Sequence, residues 1–265
     1  MTDIQNRCSG ILAESPRLQP LAEQLAQQLM LPVLDADQPI EPDALYLHYR
    51  PDGLHIISAN NGKPLDFQID FTSGLYRRRL ETGEKNQGLA KAIGVKGNHL
   101  PMVLDATAGF ARDSFTLASL GCQVTLLERS PVLASMLAEA IDRASCDHEI
   151  ADIIARMALH TIDAQQYLQN LASNSQPKPE VVYLDPMFPE RRKKALVKKE
   201  MQILHQLLGN DDQQPYPLEL AMTVATHRVV VKRPKQAEDL NGKNPSFRVV
   251  GKSSRYDVYL TDVST

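Results

Sequence analysis

The chain has 265 residues, 43% of them hydrophobic and 23% charged, a balance ordinary for a globular protein of one or two domains. A net charge of −3 excludes a protein that coats nucleic acid indiscriminately, and no apolar run approaches the length needed to span a bilayer. The three cysteines, Cys8, Cys122 and Cys146, have no metal-ligand spacing, and the first residues lack the basic and apolar regions of a secretion signal; a reduced, cytoplasmic protein is expected.

The first 75 or so residues read as a small α+β domain. Arg17 to Leu31 has Leu18, Leu21, Leu25 and Leu29 at helical spacing, with Pro20 tolerable in the first turn. Residues 44–48 and 54–57 alternate as strands around an Arg50-Pro51-Asp52-Gly53 turn, and residues 65–71 place Leu65, Phe67, Ile69 and Phe71 on one face. From about residue 76 to 265 the pattern changes to alternating strand and helix. Strands are predicted at 102–105, 123–128, 158–162, 181–185 and 228–231. Helices are predicted at 113–120, at 131–144 with Pro131 at its start, and around 164–171. Phe247–Val250 and Asp257–Leu260 read as a closing hairpin. Short apolar strands alternating with helices imply an α/β fold with a mainly parallel sheet covered on both faces, the hairpin adding an antiparallel strand.

In such a sheet ligands gather at the carboxyl ends of the strands, where strand order reverses. Those ends read Asp105, Glu128, Asp163 and Asp185, and carboxylates are seldom buried there merely for packing. Asp105 opens Asp-Ala-Thr-Ala-Gly-Phe-Ala-Arg-Asp, where Gly109 and small residues let backbone N–H groups approach a ligand. A full G-x-G-x-x-G string is missing, which disfavours a pyrophosphate ligand and with it a nicotinamide dehydrogenase. Asp105 is suited to an ammonium group. Glu128, 23 positions later, stands where such folds hold ribose hydroxyls, with Arg129 beside it to lie along a base or fix the carboxylate. Asp163 reads either as an acceptor for an adenine amine or as the N-cap of the following helix, and both roles are compatible.

Asp185-Pro186-Met187-Phe188-Pro189 is the most informative segment. An amine on an aromatic ring is a poor nucleophile because its lone pair is delocalised. Asp185 and the Pro186 carbonyl can accept its two N–H bonds and aim the lone pair, while Phe188 stacks on the base for about 1–3 kcal/mol. The alternative is a stiff turn after a strand. Arg191, Arg192, Lys193, Lys194, Lys198 and Lys199 follow directly, where the phosphates of a presented base would lie; taken alone, such a cluster reads equally as a solvated face. His99, His160, His205 and His227 show no metal-ligand spacing and read as structural or surface residues, so no metal is expected.

Residues 105–113, 127–129, 181–189 and 193–201, with 91–97 and 229–234, together resemble the bacterial small-subunit ribosomal RNA guanine-N2 methyltransferases of the RsmJ type. The likeness covers about residues 66–260. It implies a class I methyltransferase fold and S-adenosylmethionine as methyl donor. It also implies a guanine near the 3′ end of 16S rRNA, free or in the small ribosomal subunit, as acceptor. Cofactor contacts are implied at Arg112, Asp113, Glu128, Arg129, Asp163 and Asp185. Two positions depart from the family pattern: Ala111 replaces a glycine, and Ile162-Asp163 replaces a polar pair. Other readings of the residues are an amino-methyltransferase acting on DNA adenine or a protein amide, and a non-catalytic RNA-binding module with a vestigial cofactor fold.

Overall fold

The computed structural model describes residues 8–35, 40–41, 44–60, 63–74, 76, 83–186, 203, 206–207, 216–252 and 254–261. These fall into two compact units: the first takes the chain up to Asp70 with Ser130–Cys146 and residues 203, 206 and 207, and the second takes the remainder.

In the first unit, β1 (Cys8–Ala13), β2 (Leu45–Arg50), β3 (Gly53–Asn60) and β4 (Lys63–Gln68) form a four-stranded sheet in that order. β1 runs parallel to β2, and the other pairs are antiparallel. Leu45, Leu47, Leu54, Ile56 and Leu65 are buried, and the alternate residues Leu12, Tyr46 and Ile57 form a second buried cluster, so apolar side chains are buried on both faces of this sheet. The β2–β3 turn needs Gly53: its φ is +129°, and a Cβ there would fall 2.5 Å from Gln68 Nε2 and 2.7 Å from Arg143 Nε. Helix α1 (Gln19–Leu29) keeps Pro20 in its first turn and buries Ala22, Leu25, Ala26 and Leu29. The strand expected over 65–71 stops at Gln68. Phe71 is instead buried in an aromatic cluster of the second unit, 5.4 Å from Phe115 and 5.0 Å from Tyr76, so continuous alternation here served two different cores.

The second unit opens with α2 (Gly83–Ile93), which had no counterpart in the sequence reading. It continues with β5 (Val103–Asp105), α3 (Arg112–Ser119) and β6 (Val124–Glu128). After α4 (Pro131–Ser145), which belongs to the first unit, come α5 (Ala151–Ile154), β7 (Met157–Thr161), α6 (Ala164–Ser173) and β8 (Val181–Leu184). The chain closes with α7 (Leu218–Val224), β9 (Arg228–Pro234), β10 (Phe247–Val250) and β11 (Ser254–Leu260). Among the described residues the sheet has seven strands in the order β10-β11-β9-β8-β5-β6-β7. β5 to β9 are parallel, and β11 is antiparallel to both β9 and β10. Order reverses at β5, flanked by β6 on one side and β8 on the other. Leu104, Val182, Leu184, Val229 and Val231 join a core with α6 and α7. The alternate residues Val103, Val181, Tyr183 and Val230 are also buried, as expected for strands covered on both faces. No described helix is long and apolar enough to cross a membrane.

Candidate active site

The reversal of strand order at β5 puts the carboxyl ends of β5, β6, β8 and β9 side by side. Asp105 ends β5 and is 2% exposed. One of its oxygens accepts from Thr107 N at 3.0 Å, and the other from the Ser114 hydroxyl at 2.5 Å. Both oxygens are thus engaged within the β5–α3 segment, and Asp105 anchors the turn. Desolvation raises its pKa to about 7, with the Ser114 and Thr107 hydrogen bonds offsetting part of the effect and Asp113 and Asp185 adding to it.

The turn itself is left-handed at two positions, Gly109 and Ala111, each with φ +53°. Ala111 N donates to Ala108 O at 2.7 Å, which closes the turn, and a Cβ in this conformation costs about 1 kcal/mol. Glycine is the residue this conformation favours, which is the physical content of Ala111 standing where the resembling family has one. Gly109 N donates to Glu128 Oε2 at 3.2 Å, and Ala108 N donates to Leu127 O at 3.1 Å, so the turn is fastened to the end of β6. Arg112 lies over the Phe110 ring at 5.9 Å, and Arg129 is half-buried next to Glu128.

Asp163 is the N-cap of α6, its Oδ1 accepting from Gln165 N at 2.9 Å and Gln166 N at 3.1 Å. Ile162 packs partly buried against the α6–α7 core, and its N–H donates to Glu128 O at 3.0 Å. Asp163→Ala is expected to cost about 1 kcal/mol in urea unfolding, and Asp163→Asn to recover most of it, because asparagine caps nearly as well. A larger deficit in the asparagine variant would assign the carboxylate a structural role beyond the cap.

Asp113 and Asp185 converge on Lys232, to which the sequence reading gave no role beyond its place in the resembling 229–234 stretch. Lys232 Nζ donates to Asp113 Oδ2 at 2.6 Å and to Asp185 Oδ2 at 2.7 Å. The hydroxyl of buried Tyr183 also donates to Asp113 Oδ2, at 2.7 Å. Asp185 N donates to Thr107 Oγ1 at 2.6 Å, joining the ends of β8 and β5. Asp185 Oδ1 has no hydrogen-bond partner among the described residues, and its side chain is 37% exposed, against 16% for Asp113. Desolvation by the enclosing strand ends pushes the Asp185 pKa up to about 6, with Lys232 opposing and Asp113 adding. For Lys232, burial pulls down, but the two carboxylates outweigh it and hold the ammonium charged above its usual range. The sequence signal for Lys232 was its place directly after the apolar Val229–Val231 run, matching the carboxylates on the neighbouring strands. Thr107, Ser114 and Tyr183 carried no such signal.

Asp105, Glu128, Asp113, Asp185 and Pro186 are therefore brought to one rim. Phe188 and the basic residues Arg191, Arg192, Lys193, Lys194, Lys198 and Lys199 lie outside the described residues. Two carboxylates, Asp113 and Asp185, share a single ammonium, with the Asp105 carboxyl at the end of β5 and Glu128 at the next strand end. That negative excess fits a ligand carrying ammonium and sulfonium charges, and a turn with one glycine suits a ligand without pyrophosphate.

The elevated Asp105 pKa has a testable consequence for stability. Its folded pKa, about 7, lies above the unfolded value near 3.9, so the folded state holds the extra proton. Stability attributable to this group falls as pH rises from about 4 to about 7, by an amount on the order of a few kcal/mol. Asp105→Asn retains an acceptor for Thr107 and a partner for Ser114. It is expected to show a flatter stability profile than the wild type across this range. Parallel profiles in urea titrations would show that Asp105 is ionised throughout.

Residues 24–261 match the family described as "Putative SAM-dependent methyltransferase". The chain is 46% identical to ribosomal RNA small subunit methyltransferase J of Thioalkalivibrio sulfidiphilus, over 93% of this chain and 95% of that protein. It is 45% identical to the protein of the same name from Nitrosococcus oceani, over 96% of this chain and 98% of the relative. Among solved structures, a SAM-dependent methyltransferase from Neisseria gonorrhoeae superposes with a TM-score of 0.73 at 34% identity, over 97% of this chain and 98% of that one. With its strand order, its carboxylate-lined rim and these relatives, the chain belongs to the SAM-dependent methyltransferases, in the family of ribosomal RNA small subunit methyltransferase J.

Proposed function

We propose that the protein transfers a methyl group from S-adenosylmethionine to the exocyclic N2 of a guanine near the 3′ end of small-subunit ribosomal RNA. The observation that carries this reading is the state of Asp185: Oδ2 is held by Lys232 at 2.7 Å, while Oδ1 remains an open acceptor at the end of β8. A fixed, half-exposed carboxylate oxygen of this kind is what a planar amine needs as a partner. The named relatives supply the RNA class by their printed activity. The guanine and its N2 rest on the family resemblance.

When bound, the cofactor supplies an electrophilic methyl group on a sulfonium. Glu128 would hold the ribose hydroxyls, and Asp163 Oδ2, which the cap leaves open, would accept from the adenine amine beside Ile162. The turn from Asp105 through Gly109 to Arg112 and Asp113 would receive the amino-acid end, with Arg129 fixing Glu128 or lying along the adenine. Asp185 Oδ1 and the Pro186 carbonyl would accept the two guanine N–H bonds, orienting the nitrogen lone pair, and Asp185 would take up the proton released. Phe188 would stack on the base, and Arg191, Arg192, Lys193, Lys194, Lys198 and Lys199 would meet the adjoining phosphates.

The test is methylation in vitro with labelled cofactor, comparing naked small-subunit rRNA with assembled subunits, followed by nucleoside mass spectrometry and mapping. One N2-methylguanosine near the 3′ end is expected. Label in adenosine, in protein, or in neither substrate would overturn the reading.

A further inference from the structure

The end of the sheet opposite the carboxylate rim carries a second convergence of polar side chains. His99 precedes β5, Glu180 immediately precedes β8 and His227 immediately precedes β9. Glu180 Oε2 lies 3.3 Å from His99 Nε2 and 3.2 Å from His227 Nδ1. All three candidate ligand atoms fall within 4.8 Å of one another. These residues are far apart in the chain, which is why no ligand spacing is visible in the sequence.

We infer that His99, Glu180 and His227 form a site for a divalent first-row transition ion, with zinc as its representative. Bond lengths of 2.0–2.1 Å to tetrahedral zinc imply ligand–ligand edges of about 3.3 Å. The two nitrogen–oxygen separations, 3.3 and 3.2 Å, match that edge. The backbone holds the set in place. Glu180 O accepts from His227 N at 2.9 Å, and His99 is fixed by a two-way bridge to Lys96 at 3.0 and 3.3 Å. Glu180 Oε1 accepts from Met102 N at 3.1 Å, which orients the carboxylate and leaves Oε2 for the ion. The two rings tilt at 42° with centroids 6.1 Å apart, so they converge on the carboxylate without stacking on each other. The His99 and His227 side chains are 51% and 46% exposed, which leaves an entry path and room for water to complete the coordination. Two imidazoles with one carboxylate select zinc-like ions over magnesium or calcium, which take oxygen ligands. The bound ion would tie together the entries of β5, β8 and β9, at the end of the sheet opposite the rim proposed for the cofactor.

The alternative is a carboxylate shared by two histidine N–H donors with no ion, and metal uptake separates the two. Chelator-stripped full-length protein would be titrated with zinc chloride by calorimetry, and its thermal midpoint followed with and without zinc. One zinc per chain and an upward shift of the midpoint are expected. In the His99→Ala/His227→Ala double variant, both on exposed side chains, affinity should fall at least about tenfold and the shift should vanish. Circular dichroism would verify that this variant is folded. Absence of saturable uptake by the wild type, equal uptake by the folded double variant, or an equal midpoint shift with magnesium would each overturn the site.

Discussion

Asp185→Ala is expected to lower the methyl-transfer rate by about 10²–10³-fold while leaving the fold intact and cofactor affinity within a few-fold of wild type. The fold survives for a local reason. Lys232 keeps Asp113 as a partner at 2.6 Å, so no cation is stranded. The Asp185 N–H bond to Thr107 uses only the backbone and is retained. Removing Asp185 also relieves its repulsion with Asp113, so urea unfolding should change by no more than about 1 kcal/mol. The rate suffers because the open Oδ1 acceptor is lost. The pH profile supplies the sign. Desolvation raises the Asp185 pKa to about 6, and the useful form is the carboxylate. Activity should therefore fall about tenfold per unit as pH drops below about 6, a limb absent from the residual activity of the alanine variant. Full activity in Asp185→Ala, measured by methyl incorporation into rRNA, would remove Asp185 from the mechanism.

Lys232→Met should have the largest effect on stability. Methionine keeps most of the stem packing but leaves Asp113 and Asp185 without their shared cation. Breaking a fully buried pair costs about 3–5 kcal/mol. Here the Lys232 side chain is 27% exposed and that of Asp185 37%, so solvent screening reduces the expected loss to about 2–3 kcal/mol. Without the ammonium, the Asp185 pKa rises further above its unfolded value, and the folded state binds protons that the unfolded state releases. Stability of the variant must then decline with rising pH from about 4 to beyond 6, so its deficit should be larger at pH 8 than at pH 5. The acid limb of its activity should move upward from about 6. An equal deficit at both pH values would show that Lys232 contributes through its stem and not its charge.

The strands buried on both faces were legible as apolar runs, and the more exposed β7 and β10 were legible as well. β5, β6, β8 and β9 were readable because each contains a short buried apolar run, such as Val229–Val231 in β9. β1 was not, since Gly10 interrupts Cys8–Ala13 and the strand carries a register shift there. Helix α2 escaped because its described buried residues, Leu89, Ala92 and Ile93, cluster at one end without a full helical stripe. Asp163 was open between two roles, and the structure shows the cap directly. The assignment of α4 to the first unit depends on contacts such as Arg143 Nη2 to Ile69 O at 2.7 Å, which no local pattern encodes.

By itself the sequence determined the parallel α/β class and the four strand-end carboxylates. Both follow from local rules, in which apolar strands buried on two faces must end where the chain meets a polar boundary. Tertiary structure alone decided which ends meet. Strand order puts β8 and β9 together, and the register pairing Leu184 with Val231 sets Lys232 beside Asp185. It also turned Asp105 inward as an anchor and gathered His99, Glu180 and His227 at the far end of the sheet. Contacts of this kind depend on hydrogen-bond register between strands distant in sequence, and periodicity within one strand carries no information about its partner.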